Sequence, residues 1–184
     1  MKKIVALIPG LVLLLLFTVA PAMAATATKV PVHGGGISGG TSHPIEKMWL
    51  TDGYITQLRG GGSEGGQVEL YIFPSSEETD YVFTVIEEYD AMVNWHTGEA
   101  VWRYKTTWIY YDATEQVAGT FKGEYIIRST GAYIMPPGIP VTWTHFEGHA
   151  VLQGDGEFYG QTLMLDSERT RPNPTTFEGF LLTR

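Results

Sequence analysis

Between residues 44 and 184 apolar and polar positions alternate with a period of two, and few stretches carry the 3.6-residue spacing of an amphipathic helix. Alternation of this kind sorts side chains onto the two faces of an extended strand. The clearest strands cover residues 68–73, 80–89 and 100–111, and the last third of the chain adds 120–128, 141–152, 157–166 and 175–183. Residues 47–50 and 54–58 flank Thr51-Asp52-Gly53. Asp-Gly between apolar segments is the strongest short hairpin signal, so a hairpin is expected there. Residues 92–95 and 100–111 flank His96-Thr97-Gly98-Glu99 as a second hairpin. About eight or nine strands of uneven length predict an all-β fold, a single antiparallel β-barrel of about eight strands, with a β-sandwich or jelly roll as the alternative.

Glycine modifies this picture in two ways. Phe-x-Gly recurs at Phe121-Lys122-Gly123, Phe146-Glu147-Gly148, Phe158-Tyr159-Gly160 and Phe177-Glu178-Gly179. A glycine inside a strand marks a bend or a close backbone approach, and an aromatic two residues earlier lies on the same face and can cover the gap. Bent strands favour closure into a barrel. Elsewhere glycine reads as loop: residues 25–43, ending in the Gly34 to Ser42 run, predict a flexible leader with at most a short strand around Val30 to His33. The compact domain is then expected over residues 44–184. Gly60-Gly61-Gly62-Ser63-Glu64-Gly65 formally fits a dinucleotide fingerprint, but a strand follows it where a phosphate-receiving helix is needed, and Glu64 would repel phosphate. A mobile loop is expected there, and no cofactor.

The N-terminus has a separate logic. Lys2 and Lys3 precede an apolar run over residues 4–19 and then Ala22-Met23-Ala24, the order of a cleavable secretory signal peptide over residues 1–24. A retained anchor is the alternative, but Pro9-Gly10 breaks the run, and it is shorter than the roughly 20 apolar residues of a spanning helix. Cleavage leaves 160 residues, enough for one domain with a real core, and no stable membrane span. The product is expected outside the cytoplasm of a prokaryote, secreted or in the periplasm or envelope. With no cysteine, its stability has to come from packing and backbone pairing. Loss of Lys2 and Lys3 takes the formal net charge from -8 to -10, which disfavours nucleic acid and anionic lipid as partners.

The segment Gln153-Gly154-Asp155-Gly156-Glu157-Phe158-Tyr159-Gly160 resembles the G-x-G-x-[FY] turn and strand found late in dirigent proteins and allene oxide cyclases. The likeness covers residues 119–184. It implies an eight-stranded antiparallel barrel around an apolar cavity, in which a few polar side chains steer cyclisation or coupling of a hydrophobic small molecule. Residues 44–118 offer no match to catalytic residues of those families, so none is carried over.

Candidate chemistry is sparse. His145 and His149 invite a metal reading, but on a strand four residues span about 13 Å, too far for one ion, while Glu147 and His149 share a face. No metal site is expected. Glu88 and Asp90 form the one same-face pair in the Glu87-Glu88-Tyr89-Asp90 cluster and would suit a glycosidase only if held about 5 to 10 Å apart. The strand over residues 100–111 is more distinctive: Trp102, Tyr104, Thr106, Trp108 and Tyr110 share one face. This aromatic stripe either fills a core or lines a ligand site, and Trp102, Tyr104, Trp108 and Tyr110 are the candidate ligand-binding residues. The readings that follow are a barrel holding a small apolar molecule, as a binder or a cofactor-free isomerase or cyclase; a carbohydrate-binding sandwich displaying Trp102 and Trp108 on an exposed flat face; and a structural protein that homo-oligomerises through an aromatic face. The residues fix no catalytic group.

Overall fold

The computed structural model describes residues 27–37, 40–72, 81–131 and 143–183. The expected signal peptide lies outside them, as do residues 73–80 and 132–142 with the ends of three expected strands. Ten strands follow in order: β1 (Thr28–Ile37), β2 (Thr41–His43), β3 (Lys47–Leu50), β4 (Ile55–Ile72), β5 (Tyr81–Asn94), β6 (Glu99–Tyr111), β7 (Val117–Thr130), β8 (His145–Gly156), β9 (Gln161–Thr170) and β10 (Thr175–Thr183). The two expected hairpins are the β3–β4 and β5–β6 pairs. Among the described residues no helix is long and apolar enough to cross a membrane.

Neighbouring strands from β4 to β10 pair antiparallel in sequence order, and β1 closes the sheet by pairing with β10 along one edge and β4 along the other. The fold is therefore all-β, an antiparallel ring of eight strands. β2 and β3 continue the line of β1 along the β4 edge, at Thr41 opposite Glu64 and Lys47 opposite Arg59.

Closure by β1 corrects the expected flexible leader. Thr28 to Gly36 face Thr183 to Thr175 on β10, while Val32 to Ile37 face Ile72 to Gln67 on β4. Glycine here serves close approach: a Cβ on Gly34 would run into the Glu69 carbonyl oxygen. The expected mobile loop at Gly60 to Gly66 is corrected too, since it lies inside the 18-residue β4. Two irregularities in the β4–β5 register, between Leu58 and Gly61 and between Glu64 and Gly66, absorb the glycines. Gly60 and Gly65 sit at φ of 69° and 83°, in the left-handed region where a side chain is strained.

The Phe-x-Gly series divides. Gly123, Gly148 and Gly179 lie within β7, β8 and β10, whereas Gly160 sits in the β8–β9 turn at φ 79°. Cβ atoms on Gly123 and Gly179 would collide with the Val151 and Met164 carbonyl oxygens of the adjacent strands, so both mark close approaches of backbone to backbone.

Inward residues pack in two apolar clusters. Around Phe83, Trp108, Phe121, Leu152 and Phe158 one end of the ring is filled, with Phe83 and Leu152 fully buried. Full burial of such a side chain contributes about 1.5–3 kcal/mol. Towards the other end Leu58, Ala91, Val93, Ala100 and Trp143 form a smaller cluster, flanked by Trp95, Trp102 and Phe146.

Candidate functional site

Between the two clusters the inward face turns polar. Tyr89, Tyr104 and Tyr125 stand directly opposite one another on β5, β6 and β7, giving a row of three tyrosines across the inside of the ring. Their rings touch in sequence, at centroid separations of 5.3 Å and 5.8 Å. One step along β5, Glu87 points the same way, opposite Ser63 on β4 and Thr106 on β6.

Of these groups Ser63, Glu87, Tyr104 and Tyr125 border a cavity of about 460 Å³. Trp102, Tyr104 and Tyr125 supply its aromatic wall, Ser63 and Glu87 its polar wall, and Trp143, Phe146, Arg169 and Arg171 line it from the β8 and β9 side. The size suits a ligand of one to three rings, with aromatic faces to hold its body and polar groups to orient it.

Glycine makes room for the tyrosines. A Cβ on Gly61 would strike the Tyr89 ring, and one on Gly148 would strike both the Tyr125 ring, at 2.5 Å, and the Ser167 hydroxyl, at 2.7 Å. Tyr125 and Ser167 share a hydrogen bond of 2.5 Å between their oxygens, which fixes the phenol against the β9 wall.

Electrostatics follow from burial. Desolvation raises the Glu87 carboxyl above its ordinary value, opposed by hydrogen bonds from the Ser63 and Thr106 hydroxyls. The Ser63 Oγ donates to Glu87 Oε2 at 3.4 Å. Burial also pushes the Tyr104 phenol far up, with the Glu87 charge adding to it, and pushes Tyr125 up to about 12 against the Ser167 hydrogen bond. At neutral pH both phenols therefore keep their protons and remain hydrogen-bond donors. A carboxyl with a raised pKa beside two phenols is chemically competent for moving a proton.

The structure divides the aromatic stripe. Trp102 and Tyr104 line the cavity, whereas Trp108 and Tyr110 belong to the packed end and do not border it. Trp108 is 1% exposed, and its indole N–H donates to Thr106 Oγ1 at 3.1 Å, so it is a core residue and not a ligand contact. An exposed, coplanar Trp102–Trp108 platform for stacking sugars is not formed. Among the other tryptophans Trp143 lines the cavity, Trp95 donates to Thr56 Oγ1 at 2.7 Å, and Trp49 lies under the Arg59 guanidinium.

The remaining sequence candidates face outward. Glu88 and Asp90 are exposed on the outer face of β5. His145 pairs with Glu147 at 3.1 Å, while His149 pairs across strands with Asp166 at 2.8 Å. Among the described residues no group of three His, Cys, Asp or Glu side chains is placed to hold a metal ion. Glu87 is the residue that the sequence reading passed over. Its signal was available: it shares parity with Phe83 and Val85, a carboxylate set among the core positions of its own strand.

Searches against protein-family models, curated proteins and solved structures match nothing to this chain. The likeness to dirigent proteins and allene oxide cyclases therefore rests on the motif residues alone.

Proposed function

We propose that this is an exported protein that holds a small, largely apolar molecule inside the ring, with Glu87 positioned to exchange a proton with it. The observation that carries this reading is the 460 Å³ cavity, in which the aromatic wall of Trp102, Tyr104 and Tyr125 meets a single desolvated carboxyl at Glu87. Aromatic faces hold a flat apolar body through area and offset stacking. A carboxyl tuned upward is a stronger base than an ordinary carboxylate and can take and return a proton, and neutral phenols can donate to an oxygen on which charge develops.

That combination suits a cofactor-free isomerisation, such as conversion of a β,γ-unsaturated ketone to its conjugated isomer. The Glu87 carboxylate takes the proton between the double bond and the carbonyl. The electron pair shifts onto the carbonyl oxygen, held by the Tyr104 or Tyr125 phenol, and Glu87 returns the proton to the far carbon. Nothing is oxidised, and no group is transferred.

Two measurements test the proposal. With a β,γ-unsaturated cyclic ketone, growth of enone absorbance should fall at least about 100-fold in Glu87→Gln, the lower range for a lost general base. A wild-type protein that binds the ketone without converting it would leave a binder and remove the enzyme. Intact mass of the exported product should show a chain beginning at Ala25, and a retained N-terminus would overturn export by cleavage.

A further inference from the structure

The cavity has a polar feature that proton transfer leaves unused. Arg169, on the inward face of β9, and Arg171, just beyond its end, both line it, and both guanidinium groups lie against one aromatic ring, that of Phe146, at 5.9 Å and 5.5 Å from its centroid. Stacking of this kind holds the planar cation in a fixed orientation. The backbone holds them too: Arg169 Nε donates to the Asn173 carbonyl at 3.1 Å, and the Arg171 main-chain N–H donates to the Thr144 carbonyl at 2.9 Å.

Neither guanidinium has an ion-pair partner among the described residues. The ion pairs among the described residues all involve histidine, so both guanidinium groups bring positive charge to the cavity wall with no carboxylate in contact. Both sit at the end of the ring away from the packed aromatic cluster, where β9 runs out, and Arg171 is exposed. Glu87 approaches the same cavity from β5, a different wall.

We propose that Arg169 and Arg171 form an anion-selecting rim, so that the ligand is amphipathic: a flat apolar body against Trp102, Tyr104 and Tyr125, with one carboxylate at the arginine side. The idea rests on the cavity being the ligand site, as proposed above. Two preset guanidinium forks match a carboxylate's pair of oxygens, and a rim at the opening also attracts the anion during approach. An outwardly acidic protein would otherwise repel such a ligand. The rim supplies a local exception to the net charge.

Titration calorimetry with two probes of one shape, 2-naphthoate and 2-naphthylmethanol, reads charge selection apart from cavity binding. Wild type should bind the naphthoate at least about 10-fold more tightly at low salt, and the ratio should shrink as salt rises. In Arg169→Gln/Arg171→Gln the ratio should fall to about one, the loss falling on the naphthoate. Arg171→Gln alone, at an exposed position, should lower the ratio partway and decides the matter if the double variant does not fold. A ratio near one in wild type, or a ratio that survives these substitutions, overturns the rim while leaving the cavity intact. Binding of neither probe overturns the cavity reading and the rim with it.

Discussion

Glu87 sits where a carboxyl is costly to ionise, and that has a consequence for stability as well as for chemistry. Its pKa is raised in the folded chain, so the folded state binds the proton more tightly than the unfolded one. The stability gained from that proton is complete below the ordinary carboxyl value of 4.5 and is lost as pH rises through the folded value. Glu87→Gln keeps the shape without the charge. Its melting temperature should exceed that of wild type at pH 8 and approach it at pH 4, and a gap of the same size at both pH values would contradict the burial argument. Trp108 gives the opposite kind of prediction. Trp108→Ala should cost about 3–5 kcal/mol in denaturant unfolding, the usual loss for a large buried aromatic. Trp102→Ala, at the cavity wall, should cost less stability and weaken binding of a naphthalene probe instead. Parity along β6 put Trp102, Tyr104, Trp108 and Tyr110 on one face, and that much was legible. Which of them meets empty space depends on their level along the ring, set by pairings between distant strands that no local pattern encodes.

At the scale of elements, glycine carried two opposite meanings and composition could not separate them. The Gly34 to Gly36 and Gly60 to Gly66 runs have the make-up of linkers, yet β1 closes the ring and β4 is its longest strand. A missing side chain lowers the obstacle to close backbone approach, and partner strands then supply the order that the segment lacks alone. Removal of residues 28–37 should therefore abolish a cooperative unfolding transition, measured by near-ultraviolet circular dichroism, because it exposes edges on both β4 and β10. A truncated chain that still melts cooperatively would show that β1 is dispensable. Gly148 tests the packing beneath the tyrosine row. Gly148→Ala forces apart Tyr125 and Ser167, so it should cost about 1–3 kcal/mol, typical of overpacking, and weaken probe binding at the same time. Here the sequence signal was useful: three of the four Phe-x-Gly glycines lie inside strands, as their spacing implied, and the fourth is set in a turn because Gly156 to Gly160 end β8.

For the molecule as a whole, the period-two pattern was enough to give an all-β antiparallel fold of about eight strands, since each strand needs one buried face and a ring provides it for every strand. The cavity was not legible. It arises because the apolar filling at the packed end stops short of the smaller cluster near Trp143, and the interval is occupied by polar side chains from six different strands. The measurement that bears most directly on the cavity as a ligand site is calorimetric titration of the protein with 2-naphthylmethanol, run beside Ile127→Trp, which places bulk at a lining position on β7. At about -0.5 kcal/mol per heavy atom, within the range for small ligands, a Kd in the tens of micromolar is expected. Wild type should show one saturable site, and Ile127→Trp, with its fold intact by circular dichroism, should bind at least about 10-fold more weakly. No saturable heat in wild type, or equal binding by the filled variant, would contradict a ligand inside the ring.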